Sequence, residues 1–315
     1  MSVPLIETRG LKKYFSTPGG MLHAVDDVNI RIERGQTLGV VGESGCGKST
    51  LGRTILRLIE PTEGEILFDG EDIAKYNARR MKQMRKRMQI IFQDPFSSIN
   101  PRMTVSELIA EPMIVAGICP NRAERMERIY ELMETVGLAE RFVNTYPHEL
   151  DGGRRQRIGV ARALALNPDF IVCDEPVSAL DVSIQAQILN LMMDLQDTHN
   201  LTYMFITHDL SVVKHISDHI AVMYLGQCVE LAPAEEIFVN PVHPYTKALL
   251  DAIPVPSLRY KRKMPALRGE VTSPIEPKPG CRFMARCPHA SDACAEPQTL
   301  AQVGAGHFAA CVLAK

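Results

Sequence analysis

No stretch of this chain approaches the ~20 consecutive apolar residues that a membrane-spanning helix needs, and its first ten residues lack the apolar core of a secretory signal. The chain therefore reads as soluble and cytosolic, with any role at a membrane exercised through other subunits. An excess of positive charge is missing too. The 35 Lys and Arg against 37 Asp and Glu leave a formal net charge of -2, so the whole chain offers no basic field for nucleic acid. What it does have is 315 residues with 45% hydrophobic content, enough for one full domain plus a smaller appendage. Of the eight cysteines, Cys46 sits in a glycine-rich loop, Cys173 and Cys228 lie in apolar runs and read as small core residues, and Cys119 carries no signal.

Two short stretches carry the chemistry. Gly42, Glu43, Ser44, Gly45, Cys46, Gly47, Lys48, Ser49 and Thr50 form a G-x-x-x-x-G-K-S-T loop. It follows the apolar run 37–41 and leads into 51–58, where leucine and isoleucine recur at helical spacing. Strand, glycine loop and helix in that order are the setting of a P-loop. The glycines let the backbone curl until successive N–H groups face the β- and γ-phosphates of a nucleotide, and the helix N-terminus adds partial positive charge. Lys48 would neutralise phosphate oxygens and the Ser49 hydroxyl would ligate Mg²⁺. A glycine-rich turn with an incidental lysine is the bland alternative, which the full motif in this setting disfavours. The second stretch, 170–173, suits a strand buried on both faces and ends in Asp174 and Glu175. Asp174 would hold the Mg²⁺ hydration shell, and Glu175 would act as general base on the attacking water. An Asp-Glu pair alone is common in turns, so its weight comes from the P-loop.

Strand-like segments at 5–9, 23–32 and 64–70 give way at 106–137 to charged, methionine-rich helix, and α/β alternation resumes after Pro147. That order predicts an α/β protein with a mixed, mainly parallel sheet and an inserted helical subdomain. Beyond about residue 236 prolines become dense, and 272–279 reads as a stiff linker before a small cysteine-containing tail.

Between the two nucleotide motifs lies Leu150, Asp151, Gly152, Gly153, Arg154, and after them Ser178–Asp181 and Thr207, His208, Asp209. In order and spacing these motifs resemble the nucleotide-binding subunits of ABC transporters over roughly residues 1–250. The resemblance implies an ABC nucleotide-binding domain over 1–235, a helical subdomain at about 97–155, and a C-terminal extension over 236–315. By the same resemblance, Tyr14 stacks on adenine, with a plain core aromatic as the alternative. Gln93 touches Mg²⁺ and the water, His208 contacts the γ-phosphate, and Asp181 lies at a dimer seam. Two such domains close face to face in this family, each ATP held between one P-loop and the opposite signature, and closure moves attached membrane subunits.

The usual signature reads Leu-Ser-Gly-Gly-Gln, and here Asp151 replaces the serine. Two like charges at ~4 Å cost about 1 kcal/mol in water and about 4 kcal/mol at an effective dielectric near 20. Arg154 could offset that penalty, or Asp151 could cap the helix that follows. The composite site using this signature is expected to be weakened, while the site using Lys48, Glu175 and His208 works with a different partner signature. That asymmetry favours a heterodimer.

The segments 42–57, 91–104 and 175–187, together with His243-Pro-Tyr-Thr-Lys-Ala-Leu-Leu, look like the second ATPase subunit of oligopeptide and dipeptide importers. This implies a second homologous ATPase subunit, two transmembrane permease subunits and an extracytoplasmic peptide-binding protein. It also implies a peripheral place on the cytoplasmic membrane face and no direct nucleic acid. Motor residues do not report cargo, so nickel, opine or another small solute stays open. A non-transport ABC ATPase is disfavoured, since neither a long coiled coil between the motif halves nor a second cassette is present. Cys281, Cys287, Cys294 and Cys311 supply four thiols in the tail, at spacings unlike common zinc C-x-x-C knuckles. Disulfides are disfavoured in a reducing cytosol. Similar tails carry a four-iron four-sulfur cluster, with zinc or no metal as alternatives.

Overall fold

The computed structural model describes residues 3–94, 98–253 and 273–314. Contacts divide the chain into two compact units: residues 1–74 with 205–315, and residues 75–204.

The first unit opens with a hairpin, β1 (Ile6–Thr17) and β2 (Gly20–Val28), that places Tyr14 opposite His23. The expected strand over 23–32 breaks because Asp27 takes a left-handed φ of 54°, so β3 (Arg31–Ile32) pairs separately with β1. Next comes β4 (Thr37–Val41), buried at all five positions as an apolar run enclosed on both faces should be. The P-loop leads from it into α1 (Lys48–Ile55), and β5 (Glu63–Phe68) and β6 (Glu71–Asp72) extend an antiparallel sheet alongside β1.

In the second unit, α2 (Ala78–Arg87) is capped by Asn77, whose side chain accepts from the Arg80 amide, and runs into β7 (Met88–Ile91). A capping box of Thr104 and Glu107 starts α3 (Val105–Ala116), which stops at Gly117 with φ 67°. Then follow α4 (Arg122–Thr135), α5 (Gly152–Leu164), β8 (Phe170–Asp174) and α6 (Val182–His199). Leu108, Ile109, Met113, Ile129, Leu132, Met133 and Ile158 are buried between α3, α4 and α5, the helical region anticipated from the sequence. β7 and β8 run parallel, with Ile90 opposite Val172.

The chain returns through β9 (Thr202–Thr207) and α7 (Leu210–Ile216) to β10 (His219–Tyr224), which lies parallel to β4. β11 (Gln227–Pro233) turns back antiparallel to β10. The short helices α8 (Ala234–Val239) and α9 (Pro244–Asp251) precede the tail strands β12 (Ala301–Gly304) and β13 (His307–Ala309).

The stretch 272–279, expected as a stiff linker, is tied to the sheet: Thr272 lies outside the described residues, and 274–276 runs along β2. There His23 N–H donates to Pro274 O at 3.0 Å and Glu276 N–H to Met21 O at 2.9 Å. Proline cannot donate, yet its carbonyl can accept at a sheet edge. The pairing is mixed, as expected, with β10 parallel to β4 and β7 parallel to β8. The β1 sheet is antiparallel, and β13 pairs antiparallel to β11, with Ala309 opposite Glu230. Among the described residues no helix is long and apolar enough to cross a membrane.

Candidate nucleotide site

The first unit builds a phosphate cradle from backbone. Gly47 has φ 104°, and a Cβ there would stand 2.0 Å from Ala24 O, so only glycine passes. It is also the N-cap of α1 and brings no capping side chain, leaving first-turn amides for an anion. Lys48 is 4% exposed, with Nζ donating to Gly42 O at 2.7 Å and Glu43 O at 3.0 Å and lying 3.8 Å from Cys46 Sγ. Among the described residues no carboxylate pairs with it. Burial pushes the Cys46 thiol pKa up. Ser49 and Thr50 are half-buried on the first turn, while Ser44 and Gly45 are exposed on the loop.

Tyr14 stacks on His23, ring centroids 3.9 Å apart, and its hydroxyl donates to the Asp26 carboxylate. Burial and that bond raise the Tyr14 pKa. Burial works against ionised Asp26, but the Tyr14 hydroxyl, Arg282 and His23 together outweigh it and hold the carboxyl below its usual range. His208 is exposed beyond β9, and the next residue, Asp209, caps α7 by accepting from Ser211 N–H at 2.8 Å.

In the second unit, Asp174 ends β8 and is 2% exposed. Glu175 follows with a left-handed φ of 50°, a conformation that turns its side chain off the strand line. Gln93 Nε2 donates to Glu175 Oε2 at 3.0 Å, so two residues 82 positions apart, singled out for separate reasons, meet. Asp151 does both things open to it: Oδ1 accepts from Arg154 N–H at 2.8 Å as N-cap of α5, and Oδ2 pairs with Arg154 Nη1 at 2.5 Å. Gly152 and Gly153 form the first turn, and a Cβ on Gly153 would come within 2.8 Å of Ile184 Cγ2 on α6. Asp181 is the exposed N-cap position of α6, without a side-chain capping bond.

Cys281, Cys287, Cys294 and Cys311 line one small cavity together with His243, Phe283 and His289. Burial pushes the Cys281 thiol up to about 11 and raises Cys287. Among the described residues, however, no three His, Cys, Asp or Glu side chains stand in a metal-ligating group.

Sequence reasoning missed what holds the P-loop from outside. Arg286 donates to both Glu43 carboxylate oxygens, at 2.7 and 3.0 Å, and Arg282 pairs with Asp26. Across 243 and 256 residues no local pattern announces such contacts. The only trace is two arginines four apart between Cys281 and Cys287.

A glycine loop capping a buried lysine, together with a buried strand ending in two carboxylates, defines a P-loop ATPase. Residues 25–178 match the family described as ABC transporter, and residues 229–294 match the oligopeptide/dipeptide transporter C-terminal region. A putative peptide import ATP-binding protein of Brucella ovis is 53% identical over 311 residues, covering 98% of both chains. The oligopeptide transport ATP-binding protein OppF of Bacillus subtilis is 56% identical over 263 residues, 83% of this chain and 86% of that protein. Among solved structures, the ADP- and phosphate-bound dimer of the cassette MJ0796 superposes with a TM-score of 0.66 at 28% identity, covering 73% of this chain and 98% of that one. The chain belongs to the ABC transporter family of ATP-binding proteins.

Proposed function

We infer that this chain is the ATP-hydrolysing subunit of a peptide importer, converting ATP binding and hydrolysis into movement of membrane subunits. The observation that carries the ATPase reading is Lys48: an ammonium removed from water and met, among the described residues, only by carbonyls and a thiol is costly until an anion reaches it. Polyphosphate is that anion. The C-terminal region match at 229–294 and relatives named for peptide import support the cargo class.

Each residue then has a task. The amides of residues 42–50 and Lys48 bind the β- and γ-phosphates, Tyr14 packs on adenine, and His208 contacts the γ-phosphate. The Ser49 hydroxyl, the Gln93 amide oxygen and the Asp174 carboxylate are hard oxygen donors of the kind Mg²⁺ takes, and the ion would neutralise charge on the phosphates. Glu175 takes a proton from the attacking water, and the Gln93 N–H···Oε2 bond at 3.0 Å fixes the carboxylate for that step. Asp151, Gly152 and Gly153 face the nucleotide of a partner ATPase subunit across the seam at Asp181.

The working assembly is this chain, a second ATPase subunit, two permease subunits and an extracytoplasmic peptide-binding protein, with the chain peripheral on the cytoplasmic face. Residues 1–235 form the nucleotide-binding domain and 236–315 the extension. Four soft thiol donors around one cavity fit an iron–sulfur cluster in kind, and Cys281, Cys287, Cys294 and Cys311 would hold it. Iron and sulfide assays on anaerobically purified protein check this, a colourless iron-free protein removing the cluster. For the motor, Glu175→Gln in the assembled complex should cut ATPase at least ~100-fold while ATP still binds, and unchanged turnover would sink the assignment.

A further inference from the structure

The contacts of the cysteine tail fall on the P-loop itself. Arg286 is 6% exposed and forks onto both carboxylate oxygens of Glu43, with the Tyr224 hydroxyl 3.4 Å from Nη1. The Glu43 amide donates to Tyr245 Oη at 2.9 Å. Tyr224, Tyr245 and Phe283 pack as a ring cluster beneath, with centroids 4.7 to 5.4 Å apart. The residue gripped in this way is the one whose carbonyl accepts from Lys48 Nζ. Four positions earlier, Arg282 pairs with Asp26, the carboxylate that receives the Tyr14 hydroxyl, and donates to Leu225 O. One seven-residue segment, Cys281 to Cys287, thus holds the loop meant for phosphate and the tyrosine meant for adenine.

We propose that Arg286 is a positioning residue for nucleotide binding, fixing Glu43 and through it the Lys48 end of the P-loop, so that the cysteine segment and the nucleotide site are energetically coupled. The proposal rests on the P-loop reading given above. A planar guanidinium forked on a carboxylate sets direction as well as distance, which a lysine ammonium cannot reproduce. Coupling is reciprocal: if an ordered tail segment favours ATP, ATP must order the segment by the same factor.

The test uses the full chain as purified. Equilibrium ATP binding is measured for wild type, Arg286→Gln, Arg286→Lys, Glu43→Gln and the Arg286→Gln/Glu43→Gln pair, each checked by circular dichroism. Amide hydrogen exchange of 281–287 is followed with and without Mg-ATP. Arg286→Gln should weaken ATP binding about tenfold, Arg286→Lys should recover part of that loss, and the double variant should be no weaker than the worse single. Mg-ATP should slow exchange of the segment in wild type and leave it unchanged in Arg286→Gln. Additive losses, wild-type affinity in folded Arg286→Gln, or exchange indifferent to ATP in wild type would each overturn the coupling. Lys48→Ala separates the two layers. If that variant binds ATP normally, the P-loop reading itself fails, whereas normal binding in Arg286→Gln with loss in Lys48→Ala rejects only the brace.

Discussion

At Asp151 a single side chain serves two purposes that pull apart. Its carboxylate caps α5 through the Arg154 amide and is neutralised by the Arg154 guanidinium, so locally it is well placed. That pair is exposed, 44% for Arg154 and 56% for Asp151, and is worth only ~0.2–1 kcal/mol, too little to cancel repulsion from an approaching phosphate. Serine caps about as well as aspartate and restores a hydroxyl donor. Asp151→Ser should therefore leave thermal stability within ~0.5 kcal/mol of wild type and raise ATPase of the assembled complex. Asp151→Ala should lose ~1 kcal/mol of stability and raise ATPase less than serine does, since it removes the charge but supplies no hydroxyl donor. ATPase and melting curves on the same preparations decide it, and equal ATPase for wild type and Asp151→Ser would mean that the signature charge does not reach the phosphate.

Elements differ in how much of them a sequence discloses. The P-loop was readable because strand β4, the glycine loop and helix α1 are contiguous, and each is set by local rules of burial, φ and capping. The Asp151 cap was readable for the same reason. The sequence-distant joins were not. β12 and β13 are short, with only Ala309 and His307 buried among their terminal positions, too little apolar alternation to signal strands. Pro274–Glu276 looked like linker because its sheet pairing depends on β2, about 250 residues away. Helix α9 shows what a distant environment adds. Its N-cap is His243, whose Nδ1 accepts from Tyr245 N–H at 3.1 Å, a bond only the neutral ring can make. Burial lowers the His243 pKa from 6.5 to about 4. Between those values the unfolded chain binds the proton and the folded chain does not. The contribution is complete above pH ~6.5 and is lost as pH falls towards 4, up to about 3 kcal/mol in all. Thermal unfolding across pH 7 to 4 should show this loss, and His243→Asn, which keeps an N-cap acceptor but cannot titrate, should flatten the slope.

Across the whole first unit, the C-terminal tail reaches the nucleotide loop through a buried carboxylate. Glu230 on β11 is fully buried and accepts from Val242 N–H at 2.7 Å, His243 N–H at 2.9 Å and His307 Nε2 at 2.8 Å. One side chain therefore ties the last strand, β13, to the segment that starts α9, and α9 in turn presents Tyr245 to Glu43. A carboxylate so deep stands because its partners are in place: Oε1 takes both Val242 N–H and His307 Nε2, Oε2 takes His243 N–H, and losing any of them leaves a buried charge with one donor fewer and no water to replace it. His307→Ala should cost about 2 kcal/mol and lower Tm by about 5 °C. Glu230→Gln should be milder at His307, because its amide oxygen still accepts there, but should free one of the two amides at 242 and 243, since its NH₂ cannot accept. Hydrogen exchange separates these cases. His307→Ala should expose β13 amides first, while Glu230→Gln should expose the His243 amide, which faces the other oxygen, and identical patterns in both variants would show that the tail and the nucleotide-side segment do not share this carboxylate as their joint.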